Sequence, residues 1–96
     1  MALPRDVFVV GAARTAIGTF GGALKDVPLA DLATLAVKTA LERSGAAAAS
    51  VGHLAMGTVI PTEPRDAYLS RVAAVNAGCP KETPAFNVNR LCGSGL

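Results

Sequence analysis

Short apolar runs alternate along this chain with longer segments whose apolar residues recur on a helical period. The run at residues 7–12 is rich in valine and predicts a strand that is buried on both faces. Residues 53–60, which Pro61 closes, and residues 85–89 predict two further strands. Runs of this kind suit a sheet whose faces are covered by helices.

A helix is predicted between the first two strands, beginning near Asp26 or Pro28 and ending before Gly45. Proline suits the first turn of a helix and glycine its carboxyl end, while Asp31 and Arg43 complement the helix dipole. Apolar residues recur at i, i+3, i+4, i+7 and i+8, so they form one stripe that should face a core. The stripe comprises Leu29, Leu32, Ala33, Ala36, Val37, Ala40 and Leu41.

The segment before the third strand predicts a second helix, with Pro64 in its first turn and Thr62, Glu63 and Asp66 as capping residues. The order strand, helix, strand, helix, strand predicts an α/β layer with right-handed crossovers. In such folds catalytic groups tend to lie just past the carboxyl end of a strand. The expected buried face of the second helix comprises Tyr68, Leu69, Val72 and Ala73.

Composition indicates that these residues are covered by other structure. Hydrophobic residues make up 51% of the 96 positions and charged residues 17%. A lone domain of this size buries only roughly 60% of the surface that its unfolded chain exposes. We therefore expect strand and helix faces to be covered by structure outside these residues, and the isolated chain to expose apolar surface.

Charge and hydropathy exclude several classes of partner. The net charge of +2 is spread thinly and aromatic residues are 4% of the chain, which gives nucleic-acid binding little support. Apolar stretches break within about ten residues, whereas a membrane-spanning helix needs roughly 20. The first residues lack the basic and long apolar regions of a secretory signal. We expect a cytoplasmic protein with no nucleic-acid or membrane partner.

The common metal and cofactor motifs are missing from the sequence. Cys79 and Cys92 could form one disulfide, but without a secretion signal we expect both to be reduced. His53 is the only histidine, and no CxxC or HExxH pattern supplies metal ligands. Residues 11–22 are glycine-rich but lack the G-x-G-x-x-G spacing and the ending of a phosphate loop. Ser94 is outside any G-x-S-x-G pattern, which disfavours a serine hydrolase.

Cys92 lies between the third strand and a glycine-rich segment that predicts the start of a helix. The amide groups and dipole of a helix amino terminus stabilise a thiolate, and Gly93 and Gly95 leave room for a substrate. The Cys92 N–H would then be free to donate to a developing oxyanion. These features favour a nucleophile, although a cysteine considered by position alone is more often a small buried hydrophobe.

Four segments carry a family resemblance: VFVVGAARTAIGTFGG, PLADLATLAVKTALERSG, MGTVIPTEPRDAYLSRVAAVNAG and NRLCGSGL. In this order they resemble the thiolases, a family that includes the acetyl-CoA acetyltransferases and the 3-ketoacyl-CoA thiolases. The last segment resembles the nucleophile segment of that family. The resemblance covers nearly the whole chain and implies that Cys92 is the catalytic nucleophile.

The resemblance implies a thiolase-type layered α/β/α/β/α fold, of which residues 1–96 are an incomplete first portion of the N-terminal domain. It further implies an acyl-CoA acyltransferase that acts on coenzyme A thioesters as a homodimer or homotetramer, without metal or redox cofactor. Cys92 would carry the acyl group, either in the condensation of two acyl-CoA molecules or in thiolysis of a 3-oxoacyl-CoA. The alternatives are a ketosynthase-type condensing enzyme of the same superfamily and a non-catalytic structural segment. The isolated 96 residues are expected to be inactive.

The family's second cysteine, its activating histidine and its second oxyanion-hole glycine have no counterpart in these residues. Cys79 lies in the turn NAGCPKE rather than in a C-x-G-G-G-type segment, so we predict a structural role for it. His53 lacks a GHP-type setting and is predicted to have a surface or packing role. Two roles stay open for Arg71 and Asn89. They brace the loop of Cys92 or a subunit contact, or they have only a structural role on a helix face or a strand edge.

Overall fold

The structure, a computed structural model, describes residues 4–96. It confirms the expected α/β class and two of the three expected strands. Its regular elements are α1 (Leu29–Ser44), β1 (Leu54–Gly57), α2 (Leu69–Asn76) and β2 (Ala85–Val88). Short 3-10 helices lie at Ala48–Ser50, Pro64–Tyr68 and Leu91–Gly93.

β1 and β2 form a parallel pair connected through α2, so this part of the chain is a β–α–β unit. Leu54 lies opposite Ala85, and Gly57 lies opposite Val88. The N–H of Thr58 extends the ladder by donating to the Val88 carbonyl at 2.9 Å. Because the strands are parallel, both end at the same edge of the sheet, and the segments that follow them meet there.

α1 confirms the first predicted helix. Pro28 precedes it, and Gly45 ends it with φ of 72°, a left-handed conformation that glycine adopts without steric cost. The seven residues of the predicted stripe are all half-buried. Leu35, which lies outside the stripe, is 56% exposed.

α2 begins later than its capping residues suggest. Glu63 and Asp66 form a capping box, in which each side chain accepts a hydrogen bond from the backbone of the other. This box starts the 3-10 helix Pro64–Tyr68, which has three residues per turn instead of 3.6 and so displaces the apolar stripe. Tyr68, predicted on the buried face, is therefore 68% exposed. The buried residues of α2 are Leu69, Ser70, Ala73 and Ala74.

A small core lies between the two helices and the sheet. Its buried members are Leu54, Ala74 and Cys79, and half-buried side chains including Val37 and Met56 pack against them. Ala74 is completely buried, so α2 approaches the sheet without a long side chain between them. This packing holds β1 and β2 as one unit.

Residues 7–12 do not form the buried strand that their sequence predicts. The side chains of residues 7–10 are between 68% and 90% exposed, and the sheet of the described chain contains only β1 and β2. A strand is stabilised by hydrogen bonds to a neighbouring strand, and residues 4–96 supply no such neighbour here. The segment instead crosses α1, where a Cβ on Gly11 would lie 2.6 Å from the carbonyl oxygen of Ala40.

Candidate active site

Cys92 follows β2 closely and lies in the 3-10 helix Leu91–Gly93, with its side chain exposed. It therefore lies at the edge where both strands end, which is where the sequence predicted a catalytic group. We call residues 89–95 the Cys92 turn. The predicted helix start is only a three-residue 3-10 helix within residues 4–96. These residues alone therefore do not supply the helix dipole that the prediction invoked.

The backbone bends sharply just before Cys92. Leu91 has φ of 54°, the one positive φ at a non-glycine residue within the described chain. A left-handed conformation costs an L-residue roughly 1–2 kcal/mol, and it persists where surrounding groups hold it in place. The presentation of Cys92 therefore depends on what holds Leu91.

Two polar side chains hold Leu91. The Oδ1 atom of Asn89 accepts a hydrogen bond from the Leu91 N–H at 3.1 Å. The hydroxyl of Ser94 donates to the Leu91 carbonyl at 2.7 Å and accepts from the N–H of Arg90 at 2.8 Å. Both polar groups of the Leu91 backbone are thereby bound inside the Cys92 turn.

The Cys92 turn is also joined to the segment that follows β1. The Nδ2 atom of Asn89 donates to the Val59 carbonyl at 3.3 Å. Gly57, at the end of β1, lies so close to the turn that a Cβ there would be 2.4 Å from the carbonyl oxygen of Ser94. A side chain at position 57 would therefore push the turn away from the sheet.

The backbone N–H groups of the Cys92 turn are only partly paired within residues 4–96. The N–H groups of Gly93 and Ser94 donate to the carbonyls of Arg90 and Leu91, each at 3.1 Å. The N–H of Cys92 has no acceptor among residues 4–96. A free N–H on the nucleophilic residue itself is a component of the oxyanion holes that stabilise tetrahedral intermediates in acyl transfer.

A cavity of about 450 Å³ opens beside the Cys92 turn. Its walls include Met56 and Gly57 of β1, Val88 of β2, and Arg90 and Leu96 from the turn and the residue after it. The cavity thus lies at the carboxyl edge of the sheet, next to the turn that carries the exposed thiol.

The structure separates the other candidate residues from Cys92. Cys79 is buried against Leu54 and Ala74, which confirms its predicted structural role. His53 is exposed and its ring lies 4.9 Å from that of Phe86, which confirms a surface or packing role.

Arg71 braces a different loop from the one that carries Cys92. Its guanidinium donates to the carbonyl of Lys81 at 2.7 Å and to that of Thr83 at 3.0 Å. It therefore fixes the turn before β2. Of the two residues for which the sequence left several roles open, Asn89 is the one that braces the turn of Cys92.

Asp66, in the segment between β1 and α2, has a perturbed pKa. Its side chain is fully buried, and Oδ2 accepts from the Thr62 hydroxyl at 2.5 Å, from the Thr62 N–H at 2.7 Å and from the Glu63 N–H at 3.1 Å. The bond from the Thr62 hydroxyl, supported by the two backbone bonds, holds the pKa of Asp66 below its ordinary value although burial opposes this. The carboxylate therefore fixes the segment between β1 and α2.

Three residues that shape the site were not anticipated from the sequence. Asn87 of β2 accepts from the Ser70 N–H at 2.9 Å and donates to the Ala67 carbonyl at 3.0 Å, which ties the strand to the start of α2. The roles of Ser94 and Gly57 also became clear only from the fold. A glycine inside a strand pattern does signal a close backbone approach, and serine often bonds nearby backbone. Neither signal identifies the partner.

No helix within residues 4–96 combines the length and the apolar character needed to cross a membrane. Nor does that part of the chain hold a group of three or more His, Cys, Asp or Glu side chains that could bind a metal ion.

The fold and the site define an α/β protein with an exposed cysteine at the carboxyl edge of a parallel strand pair. The family described as thiolase, N-terminal domain, matches residues 7–96. Beta-ketothiolase BktB of Cupriavidus necator is 58% identical over 94 residues, which is 98% of this chain and 24% of that protein. The mitochondrial 3-ketoacyl-CoA thiolase of Homo sapiens is 46% identical over 96 residues, 100% of this chain and 24% of that protein.

Solved structures agree with these relatives. The crystal structure of human mitochondrial 3-ketoacyl-CoA thiolase in complex with CoA matches with a TM-score of 0.88 and 44% identity, over 92% of this chain and 22% of that chain. The chain belongs to the thiolase family. It matches the first part of the N-terminal domain and spans about a quarter of the length of these relatives.

Proposed function

We propose that Cys92 is the acyl-carrying nucleophile of a thiolase, an enzyme that condenses two acyl-CoA molecules or cleaves a 3-oxoacyl-CoA with coenzyme A. The observation that carries this proposal is the exposed thiol of Cys92 on a braced turn where two parallel strands end. The family membership of the chain and a relative solved in complex with CoA support thioesters of coenzyme A as substrates.

In the first half-reaction the Cys92 thiolate attacks the carbonyl carbon of an acyl-CoA, and the carbonyl oxygen becomes an oxyanion. The N–H of Cys92 donates to that oxyanion. Collapse of the intermediate breaks the bond between the carbonyl carbon and the sulfur of coenzyme A, which leaves as a thiolate and takes up a proton. The acyl group then remains on Cys92 as a thioester.

In the second half-reaction a nucleophile attacks the acyl-cysteine and releases the Cys92 thiolate. In condensation the nucleophile is the α-carbanion of a second acyl-CoA. In thiolysis the acyl-cysteine forms differently: the Cys92 thiolate attacks the 3-oxo carbonyl carbon of the 3-oxoacyl-CoA, the bond between C2 and C3 breaks, and the departing acyl-CoA leaves as an α-carbanion that takes up a proton. The sulfur of free coenzyme A then attacks the acyl-cysteine. The resemblance assigns the cysteine that abstracts the α-proton of the second acyl-CoA, and the histidine that activates Cys92, to segments other than these 96 residues. A homodimer or homotetramer and a cytoplasmic location stay predictions.

The test is incubation of the complete protein that contains this chain with radiolabelled acetyl-CoA, followed by peptide mapping. We expect label on the peptide that contains Cys92, and Cys92→Ser should reduce the labelling rate by at least about a hundredfold. Cys79→Ser is the matched control, because Cys79 is a buried packing residue, and it should keep the label on Cys92. Label on Cys79 in the unmodified protein would overturn the proposal.

A further inference from the structure

The side chain of Asn89 connects the two segments that leave the sheet at its carboxyl edge. Its Oδ1 atom binds the Leu91 N–H inside the Cys92 turn, at 3.1 Å, and its Nδ2 atom binds the Val59 carbonyl beyond β1, at 3.3 Å. One amide thus contacts the residue just before the nucleophile and the neighbouring segment at the same time.

The bond to Leu91 has a specific conformational consequence. Leu91 is held at φ of 54°, which a leucine rarely adopts, and Asn89 binds the N–H of that same residue. Ser94 binds the Leu91 carbonyl from the other side. Without these bonds the backbone before Cys92 would relax toward negative φ, because L-residues favour it. Such a change would move both the thiol and the Cys92 N–H.

We propose that Asn89 is a positioning residue, which holds Leu91 in its left-handed conformation so that the thiol and the N–H of Cys92 face one substrate carbonyl together. This proposal rests on the proposed function of Cys92. Asn89 itself has its carbonyl oxygen and one N–H engaged by the backbone of Leu91 and Val59, so it acts through Cys92 rather than on the substrate.

Acyl transfer and simple alkylation should respond differently to the loss of Asn89. Acyl transfer requires the thiol and the oxyanion donor to be aligned with the same substrate carbonyl. Small displacements of such groups lower the reaction rate by large factors. Alkylation by iodoacetamide needs only an accessible thiol. In the complete protein, Asn89→Ala should slow acylation of Cys92 by acetyl-CoA at least about tenfold. Its alkylation rate should stay within about threefold of the unmodified protein.

The hydrogen bond itself is measured by hydrogen–deuterium exchange with fragmentation to single amides. We expect the Leu91 amide to exchange faster in Asn89→Ala, and to stay protected in Asn89→Asp, whose carboxylate can still accept its bond. Asn76→Ala is the matched control, because Asn76 is exposed at the end of α2, away from the Cys92 turn. It should change none of the three measurements.

Two results would overturn the proposal. One is unchanged protection of the Leu91 amide in Asn89→Ala, and the other is a parallel fall in acylation and alkylation, which would indicate a less accessible or less reactive thiol instead of a lost alignment. Absence of acyl label on Cys92 in the unmodified protein would instead overturn the proposed function. The exchange measurement would then still show whether Asn89 holds the turn.

Discussion

Two apolar regions of this chain have opposite surroundings. Residues 7–10 are as apolar as any part of the sequence, yet their side chains are between 68% and 90% exposed. The β1–α2–β2 unit buries Leu54, Ala74 and Cys79 in a shared core and closes a parallel ladder. The two regions differ in whether the described chain provides a strand or a helix that can cover them. The unit contains its own strand partner and its own covering helix, whereas residues 7–10 have neither within the described chain.

A hydrophobic pattern therefore predicts whether a segment is buried, but not which part of the protein covers it. An apolar run indicates that a segment is buried in the folded protein, because exposing it to water costs free energy. It does not indicate what buries it. In a chain that spans about a quarter of its relatives, we infer that the cover of residues 7–10 comes from elsewhere in the complete protein.

The largest effect is expected when a buried residue of the β1–α2–β2 unit is replaced by aspartate, and the same replacement in residues 7–10 serves as the comparison. Ala74→Asp should cost more than about 4 kcal/mol, because it puts an unpaired carboxylate at a completely buried position. We therefore expect it to abolish the folded β–α–β unit both in the isolated 96 residues and in the complete protein. Circular dichroism and binding of the dye ANS measure this loss.

Val9→Asp is the counterpart in the exposed region. Val9 is 90% exposed in residues 4–96, so the isolated chain should give the same circular dichroism with or without the charge. Its dye binding should not rise, because the substitution only removes an exposed apolar side chain. In the complete protein the same change should prevent folding, because we infer that the segment is covered there. A complete protein that tolerates Val9→Asp would show that residues 7–10 are exposed in both forms.

A smaller effect is expected where the unit meets the Cys92 turn. Gly57→Ala places a Cβ 2.4 Å from the Ser94 carbonyl oxygen, so the turn has to move. We expect a loss of roughly 1–3 kcal/mol in the free energy of unfolding, as for other overpacked sites, together with slower acylation of Cys92. Denaturant unfolding of the complete protein measures the first effect and acetyl-CoA labelling the second.

Gly52→Ala is the matched control for that substitution. A Cβ at Gly52 would meet no atom within 4 Å, so its cost should be near zero. Equal destabilisation by both substitutions would show that the contact with Ser94 does not limit position 57.

The smallest expected effect is confined to acid pH. The pKa of Asp66 is lowered in the folded chain, chiefly by the Thr62 hydroxyl, so the ionised carboxylate favours the folded state. Its contribution is complete above the ordinary aspartate pKa of about 4, and it is lost as the pH falls from there through the lowered folded value. Asp66→Asn should remove this part of the acid dependence and lower the Tm at neutral pH.

Thr62→Val tests the stated cause of that shift. It removes the hydroxyl that accounts for the largest part of the lowered pKa and leaves the two backbone donors in place. The fall in Tm between neutral and acid pH should therefore be smaller in the Thr62→Val protein than in the unmodified protein, and larger than in the Asp66→Asn protein. Thermal unfolding at a series of pH values measures this fall for all three proteins. A fall in Tm that Thr62→Val leaves unchanged would assign the shift to the backbone donors.

Much of the unit could be predicted from local signals. Pro28 and Gly45 mark the two ends of α1. The fixed φ of proline suits the start of a helix, and glycine readily adopts the left-handed conformation that ends one. Both preferences act within a single turn of the chain. Glu63 and Asp66 predict a capped start for the same reason. Tyr68 was placed wrongly, because the stretch that follows the cap is 3-10 and shifts the helical period.

Some features of the candidate site could also be predicted from local sequence, and others could not. Cys92 and its place after a strand follow from the sequence, as does the resemblance to thiolases, since both depend on residues that are adjacent in the chain. The contacts of Asn89 with Val59 and of Gly57 with Ser94 join residues far apart in sequence. Only the parallel pairing of β1 and β2 brings their ends to one edge, so no local pattern could have identified those contacts.

By itself, the sequence determined the helices, two short strands, the candidate nucleophile and the family, because propensities, caps and motifs act over a few residues. The tertiary structure decided which apolar run has a partner, where α2 truly starts and what holds Leu91 at positive φ. Those outcomes depend on hydrogen bonds and close packing between distant segments, whose geometry exists only once the strands have paired.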